Sequence, residues 1–73
     1  MAASGRDGLG AYLEGSTLLM EGRHRDAILW FRQSAQLDST EAGPPLGIAR
    51  AYTELGQPDS ALFWVQSAIR LDP

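Results

Sequence analysis

The sequence contains no cysteine, which excludes a disulfide framework and a thiolate metal site. It contains no lysine either. All six basic residues are arginine, against nine acidic ones, for a net charge of -3. The densest basic cluster is Arg23-His24-Arg25, far short of the positive stripe that nucleic-acid binding requires. The same deficit disfavours an anionic membrane surface. Met1 to Gly10 holds no apolar run that would form the core of a signal peptide. No segment approaches the roughly 20 apolar residues of a membrane span. The expected location is cytoplasmic, with neither nucleic acid nor membrane as partner. Alternating polar and apolar runs are missing too, so no sheet is expected.

Catalytic groupings are equally scarce. His24 is the single histidine, and one imidazole without a second ligand type makes no zinc site. Ser16 and Thr17 have no base nearby in sequence, which removes the usual activation of a hydroxyl nucleophile. Gly8-Leu9-Gly10 has no strand before it and no lysine after it, so it is not a phosphate loop. Glu14 and Glu21 fall on one helical face and read as solvated, not as an acid–base pair. The expectation is no enzyme, no cofactor and no metal.

What is present is an apolar share of 44%, ordinary for a folded domain, in a chain small enough that its core is modest. Met1 to Gly8 shows no periodicity and reads as a flexible tail. Four helical segments follow. The first spans about Leu9 to Glu21 and stops at Gly22. Leu9, Tyr12, Leu13, Leu18, Leu19 and Met20 mix steps of three and four, the spacing of one helix face. Gly10 and Gly15 weaken it by roughly 1 kcal/mol each, a cost that often accompanies close backbone packing. The second segment runs from about His24 to Leu37, with Ala27, Ile28, Phe31 and Ala35 on adjoining rows. The third opens at Pro44-Pro45 and ends at Gly56. The fourth opens at Pro58. Proline suits a first turn, where its missing N–H would have no partner. Asp59 suits the positive helix end, and Gly56 suits a left-handed cap. Short connections make antiparallel neighbours.

The dominant signal is self-similarity at a period of 34 residues: Gly22 repeats as Gly56, Ala27 as Ala61, Trp30 as Trp64, Ser34 as Ala68, and Leu37-Asp38 as Leu71-Asp72. Gly15 is matched by Ala49 and Leu18 by Tyr52. A helical hairpin repeated at this period resembles the tetratricopeptide repeat. Gly15, Leu18, Ala27, Phe31 and Ser34 fill that family's small and large positions in the first repeat. Ala49, Tyr52, Ala61, Val65, Ala68 and Pro73 fill them in the second. Three positions depart. Ala11 and Pro45 stand at the early tryptophan position, Glu14 at a core leucine position, and Ser39 at the closing proline.

The resemblance implies an all-α fold of two tandem antiparallel helix-turn-helix hairpins in a right-handed superhelical stack. The repeats are residues 9–39 and 42–73, after the tail at 1–8. It implies a protein-protein interaction module that binds a peptide or helix on its inner face or assembles a complex. The family's inner-face positions correspond to Leu9, Tyr12, Leu13, Ser16, Leu19 and Met20, then Leu46, Gly47, Arg50, Thr53 and Glu54. The family's carboxylate clamp for chaperone tails would need lysine, asparagine and arginine where this sequence has Tyr12, Ser16 and Gly47, so that ligand class is not expected. Trp30 and Trp64 fit either hairpin packing or an exposed anchor.

A repeat usually needs a neighbour on its outer face. This gives two further expectations. The chain is an excerpt of a longer array, as a scaffold domain of a larger regulator or enzyme, or it self-associates as a homo-oligomer. The self-association seam is expected around Tyr52, Leu55, Val65 and Ile69.

Overall fold

The computed structural model describes the backbone of residues 3–72 and side chains from residue 8 to residue 72. Four helices make up the fold: α1 (Ala3–Met20), α2 (His24–Leu37), α3 (Gly43–Glu54) and α4 (Pro58–Leu71). No strand occurs among the described residues. α1 with α2 forms hairpin one, and α3 with α4 forms hairpin two.

The repeat is reproduced down to hydrogen bonds. Gly22 and Gly56 have φ of 82° and 76°, a region open to glycine at little cost. At the first turn Arg23 N–H donates to Leu18 C=O at 2.9 Å and Gly22 N–H to Leu19 C=O at 3.1 Å. Thirty-four residues on, Gln57 N–H donates to Tyr52 C=O at 2.9 Å and Gly56 N–H to Thr53 C=O at 3.0 Å. Both are six-to-one closures that satisfy the last carbonyls of a helix. The helices after the turns begin at His24 and Pro58 and end at Leu37 and Leu71, again one period apart.

The start of α1 departs from the sequence expectation. Ala3–Gly8 was expected in the loose tail and is helical; Met1 and Ala2 lie outside the described residues. Gly8 shows the reason. Its carbonyl accepts a 2.7 Å hydrogen bond from the buried Ser34 hydroxyl. A Cβ on Gly8 would sit 3.4 Å from the Cβ of Asp38. The glycine is a contact point for α2, and that tertiary contact anchors a turn of helix that has no apolar periodicity of its own.

The core lies where hairpin one meets α3. Leu18, Ala27, Ile28, Phe31, Ile48 and Ala51 form it, with Tyr12, Leu19, Tyr52, Leu55 and Trp64 packed around. Phe31, only 1% exposed, is its centre. A Cβ on Gly15 would come within 2.9 Å of the Phe31 ring and one on Gly47 within 2.6 Å. The ring is therefore held between the bare backbones of α1 and α3, and burying it stabilises the fold by about 1.5–3 kcal/mol. Gly15 meets the close-packing expectation for interior glycines. Gly10 does not, because nothing lies within 4 Å of its Cβ direction.

Glu14 stands at a core position of the repeat pattern yet is exposed, while its counterpart Ile48 is 0% exposed. α3 has hairpin one behind it. No described element packs behind α1 in the same way, and the Glu14 side chain stays in solvent.

Candidate functional site

α1 and α3 lie side by side with α2 behind them, and a cleft of about 550 Å³ opens between them. Tyr12, Ser16, Leu19 and Met20 of α1 line one wall; Leu46, Arg50 and Glu54 of α3 line the other. Phe31 is reached at the floor between them, because Gly47 leaves room for its ring.

Local chemistry explains the lining. On α1, steps of four and three bring Tyr12, Ser16, Leu19 and Met20 to one side. On α3, Leu46, Arg50 and Glu54 are each one turn apart, so the wall grades from apolar to charged along its length. Met20 and Leu46 are exposed and Arg50 and Glu54 are exposed, which leaves the site open to a partner. The Tyr12 ring lies 5.7 Å from Phe31, tilted by 54°, inside the range of favourable aromatic contacts. Gly43 faces that ring closely, since a Cβ there would sit 3.1 Å from Tyr12 Cε1.

Most of the inner-face residues expected from the sequence come together here. Tyr12, Ser16, Leu19, Met20, Leu46, Gly47, Arg50 and Glu54 all line the cleft. Three do not. Leu9 belongs to a smaller neighbouring cleft of about 350 Å³ with Gly8, Ser34, Asp38 and Glu41. Leu13 is exposed and does not line the cleft. Thr53 turns back on its own helix, its hydroxyl donating to Ala49 C=O at 3.0 Å. Phe31, Gly43, Gly22 and His24 also line the cleft and were not expected to. Gly22, where the first helix was expected to stop, turns left-handed with φ of 82°, and His24 follows it at the cleft.

The expected seam residues divide. Val65 and Ile69 lie on the outer side of α4, half-buried and exposed respectively. Tyr52 and Leu55 pack against the core cluster, and Leu55 also borders the Gly22–Asp26 turn of hairpin one. The two tryptophans separate as well. Trp64 is half-buried, with the Arg32 guanidinium of α2 5.6 Å from its ring and Phe63 edge-on at 5.4 Å. Trp30 has no equivalent helix beside it and is exposed.

Charge is sparse. The one ion pair among the described residues is Arg23–Asp26 at 2.9 Å, solvent-exposed and worth little. Asp38 is held below the usual carboxylate range, chiefly by the Thr40 hydroxyl and then by the Thr40 N–H. Among the described residues no three histidine or acidic side chains gather as a metal-binding group. No described helix is long and apolar enough to cross a membrane.

A family model described as Tetratricopeptide repeat matches residues 18–73. No curated protein matches the chain. The match covers well over half of the sequence, and the chain belongs to the tetratricopeptide-repeat family.

Proposed function

We propose that this tetratricopeptide-repeat chain binds a segment of a partner protein in the cleft between α1 and α3. Domains of this family generally mediate protein–protein interaction and are generally non-catalytic. The observation that carries the finer reading is the graded lining of the cleft. Tyr12, Leu19, Met20 and Leu46 offer apolar contact, and Arg50 and Glu54 offer charge along one wall. That pattern suits an extended segment or short helix whose apolar side chains lie along α1 and whose polar groups meet α3.

The test is a peptide-display selection against the full chain, followed by calorimetry on the selected sequences. Met20→Ser, Leu46→Ser and Arg50→Glu replace exposed groups and leave the core intact. Each is expected to weaken binding by about tenfold, the equivalent of 1.4 kcal/mol. Selected peptides whose affinity ignores all three changes would rule the cleft out.

A further inference from the structure

The 34-residue register identifies a face of hairpin two that no described element covers. In hairpin one, Ile28 and Phe31 of α2 join Ile48 and Ala51 of α3 in one buried cluster. Moving Ile28, Phe31 and Ala35 forward by one period gives Leu62, Val65 and Ile69 on α4. Ile28 is 7% exposed, whereas Leu62 is 56% and Ile69 55% exposed. The side-chain chemistry is the same. The difference is that α3 packs on Ile28 and Phe31, and no described element covers Leu62 and Ile69. With 3.6 residues per turn, Leu62, Val65 and Ile69 form one stripe along α4.

Charge arrangement selects what fits that stripe. The row beside it, at steps of seven and four, is Asp59, Gln66 and Arg70, all exposed. The acid is near the helix start and the base near its end. Neither makes an ion pair among the described residues; Arg70 donates only to the Ser67 hydroxyl, at 3.2 Å. If a second α4 lies antiparallel across a two-fold axis at Val65, Leu62 of one copy lies within one residue's rise, about 1.5 Å, of Ile69 of the other. The flanking row then meets its own copy in reverse, so Asp59 faces Arg70 twice. A parallel arrangement, with the two-fold axis along the helices, would instead put the two rows on opposite sides of the seam, where Asp59 and Arg70 do not meet.

Head-to-tail stacking of copies, a second way for this chain to cover the stripe with itself, is blocked by hairpin one. It would place α1 of the next copy where α3 sits now. Glu14 and Thr17 would take the places of Ile48 and Ala51, both 0% exposed, and Glu21 that of Leu55. Burying an unpaired carboxylate there is strongly unfavourable.

We propose that Leu62, Val65 and Ile69 form the contact of a closed, two-fold symmetric dimer of this chain, in which α4 packs antiparallel on its copy and Asp59 pairs with Arg70. The α1–α3 cleft takes no part in this contact, so the inference stands or falls separately from the cleft reading.

Sedimentation of the full chain across the micromolar range should show a monomer–dimer equilibrium with no larger species. Leu62→Glu should weaken dimerisation by about thirtyfold or more, the size expected for a central interface residue. Circular dichroism should show its helix content unchanged. Asp59→Arg and Arg70→Asp should each weaken the dimer a few-fold, and the double exchange should restore it. Gln66→Cys should oxidise to a covalent dimer, and Gln33→Cys on α2 should not; the chain has no other cysteine to compete. A monomer at every concentration, a ladder of larger assemblies, a dimer indifferent to Leu62→Glu, or a double exchange that fails to restore it would overturn the proposal.

Discussion

Hairpin one and hairpin two carry nearly the same pattern and have opposite surroundings. Hairpin one is covered on its forward face by α3, and its own rear face carries Glu14, Thr17 and Glu21, all exposed. Hairpin two is covered on its rear face, where Ile48 and Ala51 are buried, and its forward face leaves Leu62 and Ile69 bare. In a linear stack each unit touches only its neighbours, so equal sequences acquire unequal roles from position alone. The substitutions that differ between the hairpins follow this division. The side chain without a neighbour behind it is a carboxylate, and the one with a neighbour is isoleucine.

The largest contrast should appear at Phe31 and Val65, which share a register. Phe31→Ala should cost about 3–5 kcal/mol, comparable with the whole stability of a small domain. Val65→Ala, half-buried, should cost about 1 kcal/mol, close to the value of one or two buried methylenes. Urea unfolding followed by circular dichroism measures both, and equal losses would break the comparison.

Two glycines sharpen it next. Gly47→Ala gains about 1 kcal/mol of helix propensity but drives a Cβ to within 2.6 Å of the Phe31 ring. Overpacking of that kind costs about 1–3 kcal/mol, and the packed ring has little room to yield, so the melting temperature should fall. Gly10→Ala meets open space and should stabilise by roughly 0.5–1 kcal/mol. Matching signs would contradict the close approach of α3 to Phe31.

Ser34→Ala comes third. It removes the hydrogen bond to Gly8 C=O that hairpin two, with Ala68 at the matched position, does without. The expected cost is about 1 kcal/mol, with faster amide exchange in the first turns of α1 than in the rest of the helix. The smallest effect belongs to Asp38. Its lowered folded pKa means that its stabilising contribution is present above the ordinary carboxylate value and is lost as pH falls through the lowered one. Thr40→Ala removes both causes and should return the Asp38 titration, followed by carboxyl NMR, toward the ordinary range.

Much of this was legible in advance. The 34-residue period, the glycine turns and the first-turn prolines marked α2 and α4 closely, because turn and cap chemistry is local. Eight of the expected inner-face residues also converged, since helical spacing alone puts them on one side of α1 or α3. The start of α1 was not legible: Ala3–Gly8 lacks periodicity, and a carbonyl contact across 26 residues holds it. Gly47 was expected only as an inner-face position, and Gly43 was not singled out. They are the places where aromatic rings from hairpin one touch the backbone of α3. Leu62 was absent from the expected seam because nothing in its own sequence neighbourhood separates it from its buried counterpart Ile28.

The sequence by itself determined the four helices, most of their ends and their pairing into two hairpins, because hydrogen-bond periodicity and left-handed caps act over a few residues. Only the tertiary structure decided which apolar residues are core and which are surface. Burial depends on what lies across the interface, and a 34-residue repeat writes the same side chains on faces that do and do not have a neighbour.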